Sequence, residues 1–172
     1  MRAWIIIQSV GIYLGLGANL GDREKQLRFA VNALGDHDVA VLRSASLYFT
    51  EPRGLGDQPW FLNTVVEVRT LLEPEALLRE CLEIEQLAGR VREVRNGPRH
   101  LDIDILLYQD RIVDLPNLTI PHPRYRERRF VLTPLAQLAP HLTDPVCGLT
   151  VQQLLDLCQD AGQVRQAGEP LL

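Results

Sequence analysis

Two hydrophobic periods alternate along this chain, and their order limits the folds that it can adopt. Apolar runs and two-residue alternation predict four strands, at Ile12 to Leu16, Val39 to Phe49, Phe61 to Arg69 and Leu101 to Tyr108. Helical spacing follows the first strand, with Asp22 as the expected N-cap and Gly35 as the expected end. A second helical stretch begins at Pro74 and runs to Gly89. The predicted order is strand, helix, strand, strand, helix, strand.

That order is typical of an α+β, ferredoxin-like βαββαβ sandwich. A turn at Gln109-Asp110 predicts an added short β-hairpin strand at Arg111 to Val113, after which prolines are expected to exclude regular structure up to about Phe130. Helical patterns at Phe130 to Leu138 and Val151 to Cys158 predict C-terminal helices. We expect one domain over residues 1–172, with residues 1–9 as an N-terminal extension and residues 162–172 as a loose tail.

The composition predicts a cytoplasmic globular protein. Its 172 residues, 46% of them hydrophobic, suffice for one core that buries roughly 70% of the extended-chain surface. The longest apolar runs fall far short of the ~20 residues that cross a bilayer, and the N-terminus lacks the apolar stretch of a secretory signal. Three widely separated cysteines argue against a disulfide framework and against a Cys-x-x-Cys metal site.

A basic segment lies within this acidic chain, whose net charge is −4. Nine arginines and six acidic residues lie between Ala88 and Arg129, so this window carries +3 and the remainder −7. Such a distribution favours a local anionic ligand, such as a polyphosphate, over a nucleic acid spread across a whole face. Four of the arginines are expected to be merely solvated: Arg95, Arg111, Arg124 and Arg126.

Asp102 and Asp104 carry the strongest local signal for chemistry. Residues two apart in a strand project from one face, and adjacent carboxylates repel each other unless a cation lies between them. Hard oxygen ligands suit Mg²⁺, and two ions ~3.5–4 Å apart could share such a pair. The alternative is an edge strand with a solvated acidic face. Arginines on both sides, at Arg90, Arg92, Arg99 and Arg128, favour phosphoryl transfer.

Phe61 and Asn63 share one face of the third predicted strand. An aromatic ring beside an amide can stack on a flat heterocycle and pair with its edge, although a partly buried residue with a polar neighbour is an equal alternative. His122, between two prolines, could donate to a phosphate or could simply be a packed or surface histidine. A P-loop is excluded, since no Gly-x-x-x-x-Gly-Lys-Ser/Thr sequence occurs.

Five ordered motifs, spread from Ile12 to about Pro140, are more specific together than any one alone. They are LGANLGD at 16–22, DQP with FLN at 57–63, GRVR at 89–92, NGPR with LDIDIL at 96–106, and IPHPR at 120–124 with Arg128, Phe130 and Pro134-Leu135. The set resembles the 6-hydroxymethyl-7,8-dihydropterin pyrophosphokinase family of folate biosynthesis. The resemblance implies transfer of the diphosphate of ATP to the hydroxymethyl oxygen of the pterin, with release of AMP.

The resemblance also implies a set of site residues on a ferredoxin-like fold with two Mg²⁺ ions and ATP as co-substrate. By the resemblance, Asp102 and Asp104 are expected to bind the metal. Together with Arg90 and Arg92 they are the expected catalytic residues. ATP contacts fall to Glu85, Arg90, Arg92, Arg99, Ile105, Thr119, His122 and Arg128. Pterin contacts fall to Thr50, Pro52, Gly54, Phe61, Asn63 and Phe130, with the two phenylalanines on either side of the ring. Loops around 54–58 and 90–96 are expected to close over the substrates.

Several positions depart from the family pattern. His100 stands where threonine is common, Asn96 where some members have tryptophan, Pro123 where some have an aromatic residue, and Arg129 where a small residue is found. None of these removes an implied metal ligand. A ferredoxin-like sheet with arginines and aromatics could instead bind RNA without catalysis. Against that alternative, no aromatic-rich RNP1-like strand occurs, and adjacent aspartates would repel a phosphate backbone.

Overall fold

The computed structural model describes residues 11–53, 57–89 and 97–172, which form an α+β fold. In chain order the elements are β1 (Ile12–Ala18), α1 (Arg23–Asp36), β2 (Ala40–Ser44), β3 (Leu47–Thr50), β4 (Phe61–Arg69), α2 (Pro74–Leu87), β5 (Asp102–Tyr108), β6 (Val113–Leu115), β7 (Leu118–Ile120), a 3₁₀ turn (Tyr125–Glu127), α3 (Arg129–Leu138), α4 (Val151–Leu157) and β8 (Val164–Gly168). The first six predicted elements therefore occur in the predicted order, with the second strand divided.

The main sheet is antiparallel, with strand order β5-β1-β4-β3-β8 and with β2 also paired to β4. Each face of this sheet is covered by a hydrophobic cluster. The cluster under α1 and α2 includes Leu16, Leu34, Ile84 and Ile103, whereas Leu132, with its neighbours on α3 and α4, packs against the other face. Each fully buried leucine or isoleucine contributes about 1.5–3 kcal/mol, so both faces of the sheet are held by burial.

Local signals explain where the two long helices begin. Asp22 caps α1 by accepting a hydrogen bond from the Lys25 amide at 3.1 Å, as predicted. Pro74 is the first residue of α2, where its missing N–H costs nothing. Gly35 does not end α1, which continues to Asp36 because the His37 amide still bonds to the carbonyls of the preceding turn.

The predicted strand from Val39 to Phe49 is interrupted. Its two parts, β2 and β3, both pair with β4, but Ser44 and Ser46 direct hydrogen bonds away from the ladder. The Ser44 hydroxyl accepts from the Leu171 amide at 2.7 Å, and the Ser46 amide donates to Gln137 Oε1 at 2.9 Å. These bonds tie the break in the strand to the C-terminus and to α3, two elements that lie far along the chain.

The hairpin prediction after β5 was wrong in its partner. The segment Val113–Leu115 pairs with Leu118–Ile120 instead of with β5, and the two form a separate two-stranded sheet. Pro116 lies in the turn between them and Pro121 follows the second strand, so these prolines flank regular structure instead of excluding it.

The C-terminal segment is not the loose tail that was predicted. Residues Val164–Gly168 form β8, which pairs antiparallel with β3 and covers that edge of the sheet. Leu171 is buried in the core under α1 and α2. This segment is ordered by two distant parts of the chain. The backbone of β3 pairs with β8, and the Ser44 hydroxyl accepts from the Leu171 amide. The sequence pattern of the segment itself shows neither partner.

None of the helices in the described ranges is both long and apolar enough to span a bilayer.

Candidate active site

Two glycines of β1 form the floor of a cavity between β5 and β4. Gly15 lies between Asp104 and Val65, and Gly17 lies between Asp102 and Asn63. A methyl group added at Gly17 would come within 2.4 Å of the Asn63 side-chain oxygen, so a larger residue there would displace that amide. The missing side chains leave room above the middle of the sheet.

The cavity has a volume of about 550 Å³ and brings together most of the predicted site residues that the structure describes. Those in its lining are Thr50, Phe61, Asn63, Arg99, Asp102, Asp104, His122, Arg128 and Phe130. They come from three strands, two loops and the start of α3. Its volume suits a ligand of drug size.

Asp102 and Asp104 project into the cavity from alternate positions of β5, while Ile103 between them packs into the core. Asp102 Oδ2 accepts from Arg99 Nη1 at 2.9 Å, and Asp104 Oδ2 lies 4.0 Å from His122 Nε2. Two carboxylates on one face of a rigid strand, both open to a cavity, are the hard oxygen donors that Mg²⁺ binds. The donor set therefore fits a magnesium site.

His122 is neutral at physiological pH and positioned as a donor. Burial and the nearby Arg128 guanidinium lower the pKa of His122 to about 4. Its Nδ1 accepts a hydrogen bond from the Arg124 amide at 3.1 Å, which assigns the ring proton to Nε2 on the side of Asp104. Burial also lowers the pKa of Arg128, but a guanidinium stays charged at neutral pH.

Two aromatic rings form a further part of the cavity lining, called the aromatic end, beside the arginines of the charged end. Phe61 and Phe130 both line it, and guanidinium groups lie 5.8 Å (Arg99) and 5.6 Å (Arg128) from the respective ring centroids. Asn63, on β4, donates from Nδ2 to the Thr50 hydroxyl at 2.6 Å. That bond fixes the orientation of a buried amide between the aromatic end and the aspartates.

Some predicted residues lie elsewhere. Glu85 is buried under the sheet, where its Oε1 accepts from the Ile103 amide at 2.7 Å and so holds the start of β5. Ile105 packs in the core on the α1 and α2 side, and Thr119 is exposed on β7. Pro52 is absent from the described cavity lining. The contacts predicted for these four residues stay predictions, and those of Gly54, Arg90 and Arg92 concern residues outside the described ranges.

Four charged residues of the cavity lining were not among the predicted site residues: Glu51, Arg53, Arg124 and Glu127. Arg124 is exposed, as expected, and it also lines the cavity, where its backbone amide donates to His122 Nδ1. Arg126 was also expected to be solvated, but its Nε donates to the fully buried Asp144 at 2.7 Å. Single arginines in a basic stretch carry no sequence signal that separates these outcomes.

Asn19 joins the two loops that border the cavity. Its Oδ1 accepts from the Arg99 amide at 2.8 Å, and its Nδ2 donates to Gln58 Oε1 at 3.1 Å and to the Pro59 carbonyl at 3.2 Å. The Asn19 amide also donates to the Arg99 carbonyl at 3.1 Å. One buried side chain thereby sets the spacing between the start of the Phe61 strand and the backbone of Arg99.

We expect Asn19→Ala to lower both stability and catalytic efficiency. Leaving the partly buried Arg99 amide without its acceptor should cost about 1–3 kcal/mol of unfolding free energy, and the altered loop spacing should reduce kcat/KM about tenfold. Urea unfolding and steady-state kinetics measure the two effects. Asn32→Ala, on the exposed face of α1, is the matched control and should change neither by much. Wild-type values for Asn19→Ala would contradict the bridging role.

The sequence model of the family described as 7,8-dihydro-6-hydroxymethylpterin-pyrophosphokinase matches residues 13–140, which include every described residue of the cavity lining. The chain belongs to this family. The resemblance indicated by the five motifs is thereby confirmed, and the RNA-binding alternative finds no support.

Curated relatives agree with this assignment. The chain is 45% identical over 151 residues to the 2-amino-4-hydroxy-6-hydroxymethyldihydropteridine pyrophosphokinase of Methylorubrum extorquens, covering 87% of this chain and 94% of that protein. It is 49% identical over 127 residues to the protein of the same name from Bacillus subtilis, covering 73% and 76%. It is also 42% identical over 151 residues to the folic acid synthesis protein fol1 of Schizosaccharomyces pombe. That alignment covers 87% of this chain but only 21% of the longer fungal protein.

Solved structures show the same fold. A crystal structure of wild-type Plasmodium falciparum HPPK-DHPS matches with a TM-score of 0.65 at 17% identity, over 85% of this chain and 44% of that one. An HPPK-DHPS crystal structure in complex with substrates matches with a TM-score of 0.66 at 15% identity, over 85% of this chain and 43% of that one. These matches confirm the ferredoxin-like α+β prediction.

Proposed function

We propose that this chain transfers the diphosphate of ATP to the hydroxymethyl oxygen of 6-hydroxymethyl-7,8-dihydropterin, releasing AMP. The observation that carries the proposal is a single cavity lined by paired aspartates, by arginines, and by two phenylalanines with a buried amide. Membership of the pyrophosphokinase family and the names of the relatives support it. The chain spans about a fifth of the length of the fungal relatives, so the proposal concerns this domain alone.

The aromatic end is suited to a flat, hydrogen-bonding heterocycle. Phe61 and Phe130 would stack on the two faces of the pterin, as aromatic rings do on heterocycles. Because Asn63 Nδ2 is already bonded to Thr50, the Asn63 Oδ1 is the atom available to accept from a pterin N–H. Backbone groups after Thr50 would complete the pairing with the edge of the ring.

The charged end is suited to a polyphosphate. Arg99 and Arg128 supply permanent positive charge, and neutral His122 would donate from Nε2 to a phosphate oxygen. We assign the same charge-stabilising role to Arg90 and Arg92, on the basis of the family motif. Donors arranged in advance around the phosphates stabilise the charge that develops during transfer without a further cost of reorganisation.

The paired carboxylates would hold two Mg²⁺ ions between them. Bound Mg²⁺ neutralises phosphate charge and lowers the pKa of an alcohol that reaches it. Asp102 and Asp104 would fix the position of that charge relative to the two ends of the cavity, since β5 is paired along its length with β1. The ion pair of Arg99 with Asp102 would have to loosen when a cation binds.

In the proposed reaction the pterin alcohol oxygen attacks the β-phosphorus of ATP. A new O–P bond forms as the bond from the β-phosphorus to the α,β-bridging oxygen breaks. AMP departs with that oxygen, and the proton of the alcohol is released to solvent. The cavity contributes positioning of the two substrates in line, exclusion of water by the aromatic end and stabilisation of phosphate charge. These roles require no covalent intermediate on the protein.

Separation of the nucleotides after incubation tests the proposal. Protein, Mg²⁺, ATP and the pterin should yield AMP and a pterin diphosphate in equal amounts. Omission of the pterin should leave ATP intact, and removal of Mg²⁺ with a chelator should stop turnover reversibly. ADP as the nucleotide product would contradict diphosphate transfer, and full turnover in the chelator would contradict the magnesium site.

A further inference from the structure

Asp160 is a buried carboxylate outside all five motifs. It lies between α4 and β8, and only 4% of its side chain is exposed. Asp160 Oδ2 accepts from the Arg129 amide at 2.9 Å, and its Oδ1 accepts from the Gly162 amide at 2.9 Å and forms an ion pair with Arg53. Although burial raises the pKa of Asp160, hydrogen bonds from Gly162, Arg129 and Arg53 lower it overall, so the carboxylate is ionised.

Two of the three partners of Asp160, Arg53 and Arg129, connect it to the pterin end of the cavity. Arg53 lines the cavity, and its guanidinium lies 5.9 Å from the centroid of the Phe130 ring. Arg129 directly precedes Phe130 at the start of α3. Asp160 therefore holds Arg53 through an ion pair. It also holds Phe130, indirectly, through the hydrogen bond from the Arg129 amide.

The side chain of Arg129 strengthens this attachment from the other direction. Its Nε donates to the Asp160 carbonyl at 2.9 Å, and its Nη2 donates to the Cys158 carbonyl at 2.7 Å. Arg129 thus fastens the first turn of α3 to the segment that follows α4.

We infer that Asp160 is a positioning residue for the pterin end of the site, acting through Arg53 and through the first turn of α3. This inference rests on the proposed function. Fixing the Arg53 cation over Phe130 keeps it away from the acidic residues of the same cavity, among them Glu51 and Glu127, with which a free arginine would pair. The Phe130 ring is then presented to the pterin in one orientation. Less side-chain conformational entropy is therefore lost when the pterin binds.

Steady-state kinetics with both substrates varied tests the inference. Asp160→Asn keeps one oxygen, which can still accept from the Arg129 amide, but the Gly162 amide loses its acceptor and the charge that holds Arg53 is removed. It should raise KM for the pterin roughly three- to tenfold, the range expected for one cation–aromatic contact, while kcat and KM for ATP stay within about twofold. Arg53→Gln should behave in the same way, and Arg53→Lys should fall between it and the wild type.

The double variant separates a shared pathway from two independent defects. If the charge of Asp160 acts through Arg53, and the oxygen kept by asparagine still accepts from the Arg129 amide, then Asp160→Asn combined with Arg53→Gln should raise KM for the pterin no further than Arg53→Gln alone. Asp156→Asn is the matched control. This acidic residue is exposed on α4, where its Oδ1 accepts a hydrogen bond from Gln152 on the same helix. It should leave all three kinetic constants unchanged.

Several outcomes would overturn the inference. They are an unchanged KM for the pterin in both single variants, an equal rise in KM for ATP, and effects that multiply in the double variant. If Asp160→Asn does not fold, Arg53→Gln decides alone, since about half of the Arg53 side chain is exposed and its loss should leave the fold intact. A wild-type protein without pterin turnover would instead refute the proposed function, which keeps the two failures distinguishable.

Discussion

Asp104→Ala should reduce kcat by about a thousandfold or more, the largest effect on activity that we expect from a single substitution. The carboxylate lies at the middle of β5, between the arginines at the charged end and Gly15 of the floor. Removing it leaves Asp102 as the one carboxylate of the pair. The metal ions would then no longer be held in a fixed position against the phosphates. The change in kcat is measured by steady-state kinetics at saturating Mg²⁺, with one substrate varied while the other is saturating.

Pterin binding distinguishes loss of chemistry from loss of the pocket. Because Asn63 is held by Thr50, and Phe61 and Phe130 lie on β4 and α3 and not on β5, the variant should bind the pterin within about threefold of the wild type in the presence of a non-reactive ATP analogue. Asp114→Ala, at an exposed position of β6, is the control acid. Near-normal turnover of Asp104→Ala would contradict its assignment to the metal site.

Asp144→Ala should lower the free energy of unfolding by about 3 kcal/mol, the largest effect on stability that we expect. Asp144 is fully buried and accepts hydrogen bonds from the Tyr125 hydroxyl, from Arg126 Nε at 2.7 Å, and from the amides of Val146 at 2.7 Å and Cys147 at 2.9 Å. The alanine variant would leave a buried hydroxyl and a partly buried guanidinium without an acceptor. Asp156→Ala, an exposed acid, should stay within about 0.5 kcal/mol of the wild type.

The same site predicts a pH dependence of stability. Burial raises the pKa of Asp144, but hydrogen bonds from Arg126, Tyr125 and two amides lower it overall to about 2, below the value near 3.9 of an unfolded chain. A depressed pKa gives stability that is complete above about pH 4 and is lost as the pH falls towards 2. Urea unfolding between pH 5 and 2 should show this loss in the wild type, and a smaller loss in Asp144→Ala. Parallel curves for the two proteins would contradict the assignment.

The order of the first elements could be predicted because each carries a local signal. Asp22 and Pro74 mark where helices start through their own side chains, and the alternation of Ile103 and Ile105 with the aspartates follows from strand geometry. The aspartate pair and Phe61 with Asn63 were found in the same way, since residues two apart on one strand must share a face. These features depend on few neighbours.

Features that depend on distant partners could not be predicted. The break at Ser44 and Ser46 depends on the C-terminus and on Gln137, and β8 forms because the edge of β3 accepts it. Asn19 and Asp160 act through backbone groups tens of residues away. A polar side chain in a loop has no period, so its partners become known only when the fold is known.

Phosphorus NMR of the reaction mixture tests the central claim most directly, because it follows the transferred group itself. With wild-type protein, Mg²⁺, ATP and 6-hydroxymethyl-7,8-dihydropterin, the first products should be AMP, with one resonance, and a pterin product with two mutually coupled phosphorus resonances. The two should grow at equal rates from the start. Initial formation of ADP with a pterin monophosphate would contradict diphosphate transfer in one step.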